Sequence, residues 1–183
     1  MSSFSEQRLS GRVALVTGSG SGIGRAISLR FSSEGANIIA NDMNEKTAEE
    51  TGEMIKKLGR RVLVIKADVS KSNEVTAMTR EAYEKFGRVD ILVNNAGISG
   101  IPYKLIDLPE EEWDHVMGVN LTGTWLVSKA VCKQMQKQEP IKGSELRGKV
   151  INISSIAGKN GSPTIGCYAA SKAGIISLTQ TMA

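Results

Sequence analysis

The sequence is poor in aromatic residues, cysteine and histidine, and it contains no long apolar run. Aromatics make up 4% of the 183 residues, and the cations behind the net charge of +4 are scattered, so a nucleic-acid partner finds no support. The single histidine, His115, has no metal or triad partner at recognisable spacing and reads as a helix surface residue, so no metal site is expected. Two cysteines, Cys132 and Cys167, lack both ligand spacing and a disulfide-rich context, which suits a reducing compartment. No apolar stretch approaches the ~20 residues that span a bilayer, and the N-terminus has no apolar signal core. The expectation is a soluble protein of the cytoplasm or the mitochondrial matrix, with Met1 to Arg8 as a short surface extension. No Gly-Lys-Ser/Thr occurs, which excludes a phosphate-hydrolysing loop of that type. Repeats and low-complexity segments are absent as well. What remains is ordinary globular composition, 40% hydrophobic and 23% charged, in one domain over residues 1–183.

Against that background the stretch from Val13 to Ile27 stands out. Val13 to Thr17 is a short apolar or β-branched run without polar alternation, suited to a strand buried on both faces. Glycines then occupy positions 18, 20, 22 and 24, and the apolar spacing of Ile23, Ala26, Ile27, Leu29 and Phe31 predicts a helix. A strand, a glycine turn and a helix in that order aim free amide N–H groups and a positive dipole end at a crevice, which favours a diphosphate. The general pattern G-x-G-x-x-G fails in every frame. Thr17-Gly18-x-x-x-Gly22-x-Gly24 fits instead, and in this the chain resembles the short-chain dehydrogenase/reductase family.

Downstream, Gly35 stops the first helix and Asn37 to Asn41 reads as a second strand ending at Asp42. A helix is predicted from Thr47 to Leu58, a strand from Val62 to Ala67, and a helix from Ser72 to Phe86 closed by Gly87. Val89 to Asn94 is the fourth strand, Ile98 to Leu108 a loop, and Pro109 followed by three glutamates starts a helix running to Gln138. Glu139 to Gly148 is a surface loop, Lys149 to Ser154 a fifth strand, and the pattern is helical again from Tyr168. This alternation predicts an α/β fold, a doubly wound parallel sheet in three layers of the Rossmann type, with ligands at the carboxyl ends of the strands.

Asp42 ends the second strand 42 − 24 = 18 residues after the last glycine, close to the ~20-residue interval at which a carboxylate meets an adenosine ribose. Its two oxygens can accept from the ribose hydroxyls, and its charge repels a 2′-phosphate, so NAD is expected rather than NADP. Neither Ser21 nor Met43 supplies a competing cation. Tyr168 and Lys172 stand four apart on one helix face, where an ammonium is expected to favour the phenolate form.

The resemblance adds roles to these positions. It implies that Gly18, Ser21, Gly22, Ile23 and Gly24 hold the cofactor, that Asp68 and Val69 face the adenine, and that Asn95, Ala96 and Gly97 of Asn94-Asn95-Ala96-Gly97 border it while bracing the sheet. Tyr168 and Lys172 match the family's catalytic pair and touch the cofactor too. Ser155, at 168 − 155 = 13 residues before Tyr168, matches the catalytic serine in preference to Ser154, and Asn120 matches an asparagine that anchors a proton relay to the lysine. The implied reaction moves hydride between nicotinamide and a carbonyl or secondary alcohol, without a metal. The Ser154 to Gly174 region looks most like 3-oxoacyl-carrier-protein reductases and 17-beta-hydroxysteroid dehydrogenase type 8. Lys129, Lys133 and Lys137 form a stripe on which a carrier protein could dock, although a merely solvated helix face is the better reading. Family members usually continue beyond this length with further strands and a substrate lid, and assemble as homo- or hetero-oligomers. A truncated, catalytically silent NAD-binding or interaction module is therefore the alternative expectation, with the fifth strand left as an exposed edge.

Overall fold

The computed structural model describes residues 7–183, so Met1 to Glu6 of the expected extension lie outside the described residues. Arg8 folds back onto the body, pairing with Glu34 at 3.2 Å. Five parallel strands form one sheet in the order β3-β2-β1-β4-β5: β1 Val13–Thr17, β2 Asn37–Asp42, β3 Val62–Lys66, β4 Ile91–Asn94 and β5 Lys149–Asn152. Strand β1 lies at the centre, with Leu15 level with Ile39 on one side and Leu92 on the other.

Alternation along the strands feeds two cores. Val13, Leu15, Ile39, Ile65 and Leu92 pack with Val75 and Met78 of α3 (Ser72–Phe86) and with Val127 and Val131 of α5 (Gly123–Met135). Ala14, Val16, Ile38, Ala40, Ile91 and Val93 form the other core with Ile55 of α2 (Glu45–Lys57) and Ile27 of α1 (Gly22–Ser33). Consecutive residues thus face opposite helical layers, and burying every side chain of β1 is what the unbroken apolar run requires.

Several expected boundaries shift: α2 (Glu45–Lys57) starts two residues earlier and ends one residue sooner than expected, and β3 ends at Lys66 rather than Ala67. The fourth strand starts at Ile91 rather than Val89, because the buried carboxylate of Asp90 turns to accept the Val13 N–H at 2.9 Å and pairs with Arg88 at 2.7 Å. The fifth ends at Asn152 rather than Ser154. The long helix expected from Pro109 to Gln138 is three pieces: α4 (Glu110–Met117), a π turn over Gly118–Thr122, and α5. The loop after β4 contains a single 3₁₀ turn, Leu105–Asp107. The last helix, α6 (Gly166–Met182), begins two residues before Tyr168. Strand β5 is an edge, as expected, with Ile151 41% exposed.

Candidate active site

A cleft of about 540 Å³ opens at the carboxyl ends of the strands, over β1 and β4, where the strand order reverses direction. One end is built by the glycine turn. Ser21 caps α1 in an extended conformation but its hydroxyl makes no capping bond, and no acidic side chain stands in the first turn, so the leading N–H groups of the helix are left for a ligand. A Cβ at Gly22 would meet nothing within 4 Å, whereas one at Gly24 would lie 2.0 Å from the Gly18 carbonyl oxygen. The turn is open where an anion could enter and closed where helix meets strand.

Asp42 braces this turn. Its Oδ2 accepts the Gly20 N–H at 2.8 Å and its Oδ1 the Asn44 N–H at 2.9 Å, so each oxygen keeps one lone pair for a ribose hydroxyl. It is not the helix cap; Asn44 caps α2 by accepting the Thr47 N–H. On the opposite side Asp68 accepts from the backbone and hydroxyl of Ser70 at 2.9 and 2.7 Å, beside buried Val69. Thr17 bolts the floor, with its hydroxyl oxygen accepting the Asn95 and Ala96 N–H groups at 3.0 Å each. The Asn95 amide donates to the Thr17 carbonyl at 2.9 Å, and the Asn94 amide donates to Ser128 and Asn152 at 2.8 Å each. Those amides are scaffolding.

The other end carries the titratable groups. Lys172 is 4% exposed; its Nζ donates to the Ile153 carbonyl at 2.8 Å and lies 5.6 Å from the centre of the Tyr168 ring. Burial pulls the ammonium below the ordinary lysine range. Gly97 separates Lys172 from Asn120, since a Cβ there would stand 3.4 Å from Nζ and 3.1 Å from Asn120 Oδ1. Asn120, fully buried in the π turn, donates to the Ile98 carbonyl at 2.9 Å and to Ser171 at 3.0 Å, and accepts the Ile98 N–H at 2.8 Å. The π turn rotates a side chain inward that regular helix would place elsewhere.

The two serines differ in what they can still do. Ser154 lines the cleft but spends its proton on the Lys172 carbonyl at 2.8 Å. Ser155 caps a 3₁₀ turn (Ile156–Gly158) by accepting the Ala157 N–H at 3.2 Å, which leaves its own proton free. Of the expected site residues, Gly18, Ser21, Gly22, Ile23, Asp42, Asp68, Val69, Asn95, Ala96, Gly97, Tyr168 and Lys172 line the cleft, while Gly24, Asn120 and Ser155 stand behind or beside it.

Residues 12–183 match the family model for short chain dehydrogenases. The chain belongs to the short chain dehydrogenase family. It is 39% identical over 176 residues to glucose 1-dehydrogenase 2 of Bacillus subtilis, covering 96% of this chain and 66% of that protein. To a 3-oxoacyl-[acyl-carrier-protein] reductase of Thermotoga maritima it is 38% identical over 176 residues, covering 96% and 68%. Among solved structures it matches an NAD⁺-bound xylitol dehydrogenase with a TM-score of 0.89 and 33% identity, covering 96% of this chain and 65% of that one. The chain thus spans about two thirds of the length of the relatives it matches. No helix among the described residues is long and apolar enough to cross a membrane, and no cluster of metal-ligating side chains occurs among them.

Sequence reasoning missed the part played by Thr17, and it missed His115 and Asn41 as lining residues. His115 stands four residues before Val119, which also lines the cleft, and that helical spacing was the available signal. Lys129 and Lys133 line a separate groove of about 630 Å³ between α3 and α5, and the Lys129 ammonium stacks on Trp125 at 4.8 Å.

Proposed function

We propose that the protein is an NAD(H)-dependent oxidoreductase acting on a carbonyl or secondary alcohol. The observation that carries this reading is the buried Lys172 ammonium beside the Tyr168 ring, at one end of a cleft whose other end presents an uncapped helix N-terminus and Asp42. When bound, the nicotinamide supplies or accepts the hydride. Gly18, Ser21, Gly22 and Ile23 cradle the diphosphate, Asp42 takes the ribose hydroxyls and repels a 2′-phosphate, and Asp68 and Val69 flank the adenine. Tyr168 gives its phenolic proton to the substrate oxygen in reduction and takes it back in oxidation. Lys172 favours the phenolate left behind, Ser155, beside the cleft with its proton uncommitted, orients the substrate oxygen, and Asn120 steadies the path by which Lys172 is reprotonated.

The finer reading is a 3-oxoacyl thioester or a hydroxysteroid as substrate, in keeping with the reductase among the relatives. A carrier-linked thioester would require docking outside the cleft; the lysines at 129, 133 and 137 are read first as a solvated face. Two free thiols, Cys132 with its pKa raised by burial and buried Cys167, suit the reducing interior of the cytoplasm or the mitochondrial matrix. The test is a pair of measurements on the full chain. NADH fluorescence on titration reports binding, and loss of NADH absorbance with an acetoacetyl thioester reports turnover. Binding with turnover supports the oxidoreductase; binding alone supports a catalytically silent NAD-binding module instead.

A further inference from the structure

By composition the glycine turn that opens α1 should be the loosest part of the cleft wall, with glycine at positions 18, 20, 22 and 24. The folded chain leaves little of it free. The Ser19 N–H donates to the Asn41 carbonyl at 2.9 Å, and the Gly20 N–H to Asp42 Oδ2 at 2.8 Å. The Gly20 carbonyl accepts from the guanidinium of Arg25, in the first turn of the helix. That guanidinium reaches from α1 to α2, where Nε donates to the Thr51 hydroxyl at 2.9 Å and Nη2 also meets the Thr47 carbonyl and the Glu50 carboxylate, each at 3.2 Å. Thr51 is fully buried, and its own proton faces the Ser19 carbonyl at 3.0 Å. A Cβ at Gly20 would strike the Thr47 hydroxyl and stand 2.8 Å from Asp42 Oδ2, so α2 backs the turn without a gap. The backbone of Ser19 and Gly20 is thereby tied from behind, while Ser21, Gly22 and Ile23 line the cleft in front.

We propose that Arg25 is a positioning residue for the dinucleotide: with Thr51 it holds the Ser19–Gly20 backbone in the shape that turns the leading N–H groups of α1 onto the diphosphate. The inference rests on the dinucleotide reading of the cleft above and adds a residue that does not itself line it. A free glycine turn would have to be ordered by each arriving ligand, whereas a turn already tied loses less entropy on binding. The planar fork suits this position. One rigid group donates in several fixed directions, which an ammonium on a flexible stem does not reproduce. The charge of Arg25 is met by Glu50, so its effect on the diphosphate passes through the backbone.

The test uses the full chain and measures the dissociation constant of NADH by fluorescence and those of ADP and adenosine by competition with it. ADP carries the diphosphate and adenosine lacks it, so only ADP depends on the turn. Arg25→Met should raise the ADP constant about tenfold and leave the adenosine constant unchanged. Arg25→Lys, which keeps the charge and loses the fork, should match Arg25→Met. Thr51→Val keeps the shape, removes the hydroxyl between Arg25 and Ser19, and should raise the ADP constant about threefold with adenosine again unchanged. Native ADP affinity in Arg25→Met overturns the inference, and so does native affinity in Arg25→Lys, which assigns the effect to charge alone. An equal loss for ADP and adenosine makes Arg25 a general brace of the fold and overturns it too. Where Arg25→Met does not fold, Thr51→Val decides by the same split. A native protein that binds neither NADH nor ADP overturns the dinucleotide reading itself, and the inference with it.

Discussion

Lys172 is buried with a backbone carbonyl, not a carboxylate, as its hydrogen-bond partner. Such a site is costly for a cation, and burial accordingly pulls the ammonium below its ordinary range. The stability consequence has a definite sign. The folded-state pKa lies below the ordinary 10.5, so between the two values the unfolded chain binds more protons and stability rises with pH. Unfolding titrations of the native protein and Lys172→Met should show the difference moving in favour of the native protein as pH climbs towards 10.5, and a difference that falls or stays level contradicts the assignment. Asp42→Ala removes the repulsion of a 2′-phosphate and should narrow the preference for NADH over NADPH by about tenfold, read from fluorescence titrations with each; an unaltered ratio removes Asp42 from cofactor choice.

At the scale of elements, the glycine turn does its work through two different restrictions. Gly24 has ordinary dihedral angles but no room, since its Cβ would fall 2.0 Å from a carbonyl oxygen; Gly22 has room but a φ of +50°. Gly24→Ala should cost about 1–3 kcal/mol of stability by overpacking. Gly22→Ala should cost about 1–2 kcal/mol through its left-handed backbone and place a methyl where the diphosphate enters. Both should weaken NADH binding, and full affinity in either variant argues against the cradle. Sequence periodicity captured most elements because their ends carry local signals: α3 starts and stops where expected, closed by Gly87 at φ +73°. It missed the π turn, because one extra residue over Gly118–Thr122 leaves the apolar spacing on either side intact. It extended β4 back to Val89, because only the folded chain reveals that Asp90 caps the neighbouring strand. The preference for Ser155 over Ser154 rests on the family's spacing to Tyr168; the structure puts Ser154 on the cleft with its proton donated to the Lys172 carbonyl, and Ser155 beside the cleft with its proton free.

For the molecule as a whole, two helical layers bury β1, β2 and β4 on both faces and leave the sheet's carboxyl edge to gather residues from β1, β2, β4 and α6, far apart in sequence, around one cleft. A ligand spanning that cleft touches several elements at once and should stabilise them together. NADH at a hundred times its dissociation constant should raise the free energy of unfolding by about 2.7 kcal/mol, seen as a higher melting temperature, and no shift at saturation would count against a folded-state site. In the proposed reaction Tyr168 moves the proton while the rest of the cleft holds the dinucleotide. Its most direct test is steady-state reduction of an acetoacetyl thioester by the native protein and by Tyr168→Phe, with the NADH dissociation constant measured for each. The account predicts a fall in kcat of about a hundredfold to ten-thousandfold at an unchanged dissociation constant; equal turnover by the two proteins would contradict it.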